Sequence, residues 1–125
     1  MLLRMLIAVS LAATSWSCGL ADPGACTTSI EPGIVVTIRD AIDGTPLAET
    51  AIGNVYDGPY VGPLVPNGSL GDGTMISRKA ADERPGRYTV VVTHPGYREW
   101  RVENVVVRAG ECHVRTVDLL AELQR

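Results

Sequence analysis

The strongest constraint on this chain's fold is a pair of closely spaced Pro-Gly dipeptides around a β-branched run. Glu83-Arg84-Pro85-Gly86-Arg87-Tyr88-Thr89-Val90-Val91-Val92 is followed at once by His94-Pro95-Gly96-Tyr97. Proline pre-sets φ for the first central position of a turn, and glycine supplies the positive φ a type II turn needs at the second. Two such turns flanking a run rich in valine and threonine predict a β-meander, with Tyr88, Val90 and Val92 on the buried face. The pattern says how the chain is built and nothing about what it acts on.

The rest of the chain continues in the same period. Ile34, Val36 and Ile38 alternate with Val35, Thr37 and Arg39, which predicts a strand with one buried face. Residues 40–46 end it in a turn. Leu47 to Tyr56 forms a second candidate strand with Ala51 and Val55 inward, although residues 48–51 also suit a helix. Residues 58–73 hold five glycines and three prolines, a density at which no regular element is expected. Thr74 to Ala80 is a short strand. Trp100, Val102, Val105 and Val107 lie on a further strand, where Glu103-Asn104 interrupts the alternation and predicts a bulge. A turn at 108–111 precedes a last strand from Cys112 to Leu123, with Val117 and Leu119 inward. Short strands with turn chemistry between them predict an all-β, antiparallel β-sandwich of about seven strands, transthyretin-like or Ig-like.

The first 21 residues read as a bacterial-type export signal. Arg4 precedes the apolar run Leu6–Ala13, which is shorter than the roughly 20 residues a spanning helix needs. Two processing routes stand open: cleavage after Gly19-Leu20-Ala21, or a lipobox-like site that leaves Cys18 as a lipidated, membrane-tethering N-terminus. Residues 22–32 form a linker and 33–123 the domain. Without residues 1–21 the chain has 104 residues and a formal charge of −4. That is one domain with one core. Its arginines are scattered, which disfavours nucleic acid, since phosphate neutralisation supplies most of that affinity. Cys26 and Cys112 remain, and in an oxidising compartment a disulfide between them is the default expectation. A metal or redox pair is the alternative, without a Cys-x-x-Cys spacing to support it.

The strand Ile34–Asp40, running into Asp43-Gly44-Thr45-Pro46-Leu47 and then Ala51, resembles the opening of carboxypeptidase regulatory-like domains. Pro85–Val92 with Gly96-Tyr97 is similar to that family's second half. The resemblance covers residues 33–121 and rests on turn and core positions. It implies a transthyretin-like sandwich serving as a non-catalytic accessory or binding module outside the cytoplasm. The long 58–73 segment departs from the family pattern.

Chemistry finds little footing. The hydroxyisourate hydrolases, a related transthyretin-like branch, use several histidines, an arginine and a C-terminal Tyr-Arg-Gly-Ser. This chain has His94 and His113 and ends Leu123-Gln124-Arg125. A small hydrolase built on those two histidines is the alternative to a binding module, and a structural lipoprotein spacer is another. Zinc needs three or four ligands at suitable spacing, and none is seen. Asp40, Asp43, Asp57 and Asp72 lie near turn glycines, which is ordinary turn chemistry and lacks a calcium loop's alternating acids. No cofactor is expected. Asn67-Gly68-Ser69 fits the glycosylation pattern, a cheap match. The candidate binding loop, 57–74, contributes Val61, Leu64 and Val65 beside Tyr56 and Tyr60 as an apolar contact patch for a protein, glycan or envelope partner. An edge strand offering β-augmentation is a second way to bind.

Overall fold

The structure is a computed structural model that describes residues 26–125. The stretch expected to be an export signal, residues 1–21, and the candidate lipidation site Cys18 lie outside these residues. The described chain is an all-β sandwich of nine strands: β1 (Ile34–Asp40), β2 (Ile52–Asp57), β3 (Tyr60–Pro63), β4 (Val65–Pro66), β5 (Ser77–Ala80), β6 (Gly86–Thr93), β7 (Trp100–Ala109), β8 (Val114–Arg115) and β9 (Val117–Leu123). They form a four-stranded sheet in the order β4-β5-β1-β9 and a five-stranded sheet in the order β3-β2-β6-β7-β8.

Alternation builds the core as expected. Ile34, Val36 and Ile38 of β1 are fully buried, as are Tyr88, Val90 and Val92 of β6 and Val55 of β2. Each such side chain contributes about 1.5–3 kcal/mol through area removed from water. Ala121 and Leu123 complete the inner face of β9, with Val117 and Leu119 half-buried on the same side. The bulge sits where Glu103-Asn104 broke the pattern. Tyr88 pairs with Val105 but Val90 pairs with Val102, and Asn104 takes a φ of 58°. Gly96, at φ 82°, closes the turn in which the Tyr97 amide bonds the His94 carbonyl.

Several expectations are corrected. The ladders are antiparallel except one: β1 and β9 run parallel from Ile34↔Val117 to Asp40↔Leu123. The second strand starts at Ile52; Leu47–Ala51 make one helical turn, with the Ala51 amide on the Leu47 carbonyl, and bury Leu47, Ala48 and Ala51. The fifth strand is confined to Ser77–Ala80. The last strand is split at Thr116 between the two sheets, and Cys112 and His113 lie in the turn before β8, closed by the Gly110 amide on the His113 carbonyl. The strand count exceeds seven because β3, β4 and β8 are short.

Two of those extra strands lie inside the Gly/Pro segment, and its prolines explain how. The Leu64 amide bonds the Gly53 carbonyl, so by the alternation of an antiparallel ladder Pro63 turns its missing donor away from β2. Likewise the Asn67 amide bonds Ser77, which leaves Pro66 facing outward. Proline is tolerated on an edge where its nitrogen faces solvent. The Pro85-Gly86 turn is also corrected. The turn lies three residues earlier, with Glu83 at φ 49° and the Arg84 amide on the Ala81 carbonyl, while Gly86 is the first residue of β6.

Cys26 and Cys112 are joined across a separation of 86 residues. The bridge ties the lead segment to the β7–β8 turn. Glu31 and Pro32 add to the tie, through the Glu31 amide on Glu83 and the Pro32 carbonyl receiving Thr116.

Candidate functional site

The candidate contact patch divides into three places. A two-residue turn, with Gly58 at φ 55° in its first central position, joins β2 to β3. Below it the strands pair Asp57↔Tyr60, Tyr56↔Val61, Val55↔Gly62 and Asn54↔Pro63. Val55 and Gly62 are buried, so Tyr56 and Val61 face outward together, 38% and 54% exposed. Leu64 is a corner residue of the core at 4% exposure, because the chain crosses there from one sheet to the other. Val65 is exposed on β4, paired with Lys79 at the edge of the four-stranded sheet. Leu64 is therefore corrected from patch to core.

Tyr60 is corrected as well: it has a packing role. Its ring meets Tyr88 edge-on at 6.3 Å, and the Arg84 guanidinium lies 3.8 Å above it. The ring also folds back over Gly62, where a β-carbon would meet its hydroxyl at 2.7 Å. Arg84 in turn donates to Asp57 Oδ2 and to the Tyr88 hydroxyl, both at 2.9 Å. The Tyr88 hydroxyl donates to the Arg84 carbonyl at 2.7 Å. These bonds, to Tyr88 first and Asp57 second, push the Arg84 pKa further up. The inner half of the hairpin is pinned while its outer half presents Tyr56 and Val61.

Sequence reasoning missed two further exposed apolar side chains on this sheet. Ile52, 68% exposed, pairs with Thr93, and Val106 faces outward beside Arg87. Thr89 lies directly across from Tyr56. The signal was available: residues 52, 54 and 56 share the parity opposite to the buried Val55. Segment 67–76 is the part of the loop without strand structure, held by the Leu70 amide on Thr74 and the Gly73 amide on Leu70.

The titratable residues are spread over separate ends. His94 contacts Thr50 and packs edge-on to Tyr97 at 5.1 Å. His113 bonds Glu83 at 2.6 Å and Thr27 at 2.9 Å. The two histidines sit beyond opposite ends of β6, about 25 Å apart at the usual rise per residue, so they share no site. Glu83 also receives the Glu31 and Val114 amides; the Glu31 bond chiefly holds its pKa down, with the His113 and Val114 bonds adding to it.

Of the aspartates near turn glycines, Asp40, Asp43 and Asp72 serve turns. Asp40, 3% exposed, accepts the Tyr97 hydroxyl at 2.6 Å, the Ile42 amide at 2.8 Å and the Asp43 amide at 3.1 Å. Those bonds, Tyr97 first, hold its carboxyl far below the ordinary range, with Arg125 adding a favourable charge. Asp43 receives the Thr45 amide and Asp72 the Thr74 amide. Asp57 is taken by Arg84.

No protein-family model matches this chain, and no curated protein matches it. The disulfide fits an oxidising, extracytoplasmic environment.

Proposed function

We propose that this chain is an exported, non-enzymatic binding module, similar to carboxypeptidase regulatory-like domains of the transthyretin-like fold. It takes a protein or cell-envelope partner on the Tyr56–Val61 face of its five-stranded sheet. One observation carries this reading: Tyr56 and Val61 are directly opposed and exposed, on a hairpin whose inner side Tyr60, Leu64 and Arg84 fix. A rigidly backed aromatic–aliphatic pair loses little entropy on contact and supplies the kind of anchor interfaces favour. The export signal over residues 1–21, or acylation at Cys18, would deliver the module to the envelope.

Deleting the segment is the wrong test, because it would remove β3, β4 and the buried Leu64. Point substitutions on the outer face leave the core alone. Tagged mature protein is used to capture partners from the envelope fraction, beside Tyr56→Ser and Val61→Glu variants with unchanged thermal unfolding. Bands lost in both variants support the reading; full retention in both overturns it. Intact mass of the native protein distinguishes the two routes of export. A start at Cys18 with added acyl mass means a tether, and a start at Asp22 means a soluble domain.

A further inference from the structure

The sandwich has four sheet edges among the described residues, and two of them are closed to pairing. β3 offers one outward amide, that of Val61, before Pro63 removes the next. β4 is two residues long and includes Pro66. β8 is also two residues long and covers only Arg108 and Ala109 of β7, so residues 100–107 are uncovered on that side, where the bulge at Asn104 interrupts the strand. The fourth, β9, is seven residues long and pairs only with β1. The Val117 amide bonds Gly33, and the Leu123 carbonyl receives Ala41. In a parallel ladder alternate residues bond the same neighbour, so the odd-numbered residues of β9 serve β1. The amides and carbonyls of Asp118, Leu120 and Glu122 therefore face away from the sheet. Their side chains are exposed too, Leu120 to 45%.

This open window is short and bounded. At one end the chain arrives from β8 through Thr116. At the other the Arg98 amide takes the Gln124 carbonyl at 2.7 Å. Within it the pattern is acid, apolar, acid at every second residue. Asp118 makes no ion pair among the described residues, while Glu122 meets Arg39 at 3.5 Å, both half-exposed. A second copy is a poor occupant. An antiparallel pair centred on Leu120 sets Asp118 against Glu122 of the other copy, and like charges directly opposite are destabilising.

We infer that β9 is a docking edge for an extended basic segment of another protein, of the form basic-x-apolar-x-basic. The added strand takes the three outward amides and carbonyls, as in β-augmentation. Its apolar residue lies against Leu120 and its two cations against Asp118 and Glu122. Because the acids are symmetric about Leu120, the same pattern fits in either strand direction. The inference rests on the reading of the chain as a binding module and assigns it a second surface, on the opposite sheet from Tyr56 and Val61.

The test uses isotope-labelled mature protein and two peptides, acetyl-Thr-Lys-Thr-Val-Thr-Lys-Thr-amide and its counterpart with glutamate for both lysines. The lysine peptide should shift and protect the amides of Asp118, Leu120 and Glu122. The glutamate peptide should bind about tenfold more weakly, the sum of small exposed charge terms of changed sign. Leu120→Pro removes an outward donor and no bond to β1, and should abolish the protection. Asp118→Lys, which touches no fold contact, should narrow or reverse the preference between peptides. No shift at those amides, or equal binding of both peptides, overturns the inference. Amide shifts that follow protein concentration alone also overturn it, making a second copy the occupant. The Val61→Glu protein should bind the lysine peptide unchanged, so failure of the Tyr56–Val61 face and failure of the β9 edge are separately visible.

Discussion

Arg84 lies 3.8 Å above the Tyr60 ring while its guanidinium holds Asp57 at 2.9 Å. One side chain thus ties the turn before β6 to both arms of the β2–β3 hairpin. The arrangement demands a planar, multi-donor cation, because a lysine ammonium cannot stack on the ring and bond Asp57 and Tyr88 together. Arg84→Lys should therefore lower the urea midpoint nearly as far as Arg84→Ala, with the slope of the transition unchanged.

Gly86 is required by this same network and by no positive φ. A β-carbon there would meet Asp57 Oδ2 at 2.5 Å and Tyr88 Cε2 at 3.2 Å. Gly86→Ala should cost about 1–3 kcal/mol, the range for overpacking a filled site. In an Asp57→Ala background most of that cost should disappear. A double-mutant cycle by chemical denaturation measures the coupling; additive costs would show that Asp57 is not the obstacle.

The division of the hairpin into inner and outer halves is tested by two neighbours. Leu64→Ala should cost about 2–5 kcal/mol, as a buried leucine truncation does. Val61→Ala should stay within about 0.5 kcal/mol, as exposed substitutions do. Thermal unfolding of the two variants checks this, and similar losses would mean that the segment packs as one unit.

The Cys26–Cys112 bridge closes most of the described chain into one loop. The chain-entropy treatment gives about 4–5 kcal/mol for loops of this length, and removing a native bridge from a small domain commonly costs about 2–5 kcal/mol. Cys26→Ser with Cys112→Ser should lose that much, and the reduced wild type should match it. Because both cysteines lie outside the strands that carry most of the core, native-like circular dichroism should survive the loss.

Stability should depend on pH through Asp40, Glu83 and Tyr97. The carboxyl pKa of Asp40 is depressed by Tyr97 and the turn amides, and that of Glu83 by the Glu31 amide first. On acidification the unfolded chain takes up these protons first. Their contribution is thus complete above the ordinary carboxylate range, about pH 4, and is lost as pH falls toward the folded values. The pKa of Tyr97 is raised by its bond to Asp40, so its contribution is present below about pH 10 and is lost as pH rises through the folded value. Asp40→Asn should be less stable at pH 7 and show a flatter acid limb. Denaturation midpoints across pH read both limbs, and an unchanged acid limb in Asp40→Asn would assign the dependence elsewhere.

What the sequence determined by itself is the material of the sandwich. The alternation in Ile34–Ile38 and Tyr88–Val92, the break at Glu103-Asn104, and the single cysteine pair left for the domain were legible because each depends on neighbours along the chain or on counting. Tertiary structure decided the rest. Proline and glycine in residues 58–66 look like strand breakers locally, yet on an edge a missing amide costs nothing when it faces solvent. Only pairing against β2 and β5 gives Pro63 and Pro66 that orientation. Gly86 looks like half of a turn until Asp57, distant in sequence, occupies the space its side chain would need. Tyr60 and Val61 look alike in a string of apolar residues. The pleat sends one under Arg84 and the other into solvent, and pairing with β2 fixes which is which. Leu120 follows the same logic: β1 takes every second backbone group of β9, and the remaining groups form an open edge.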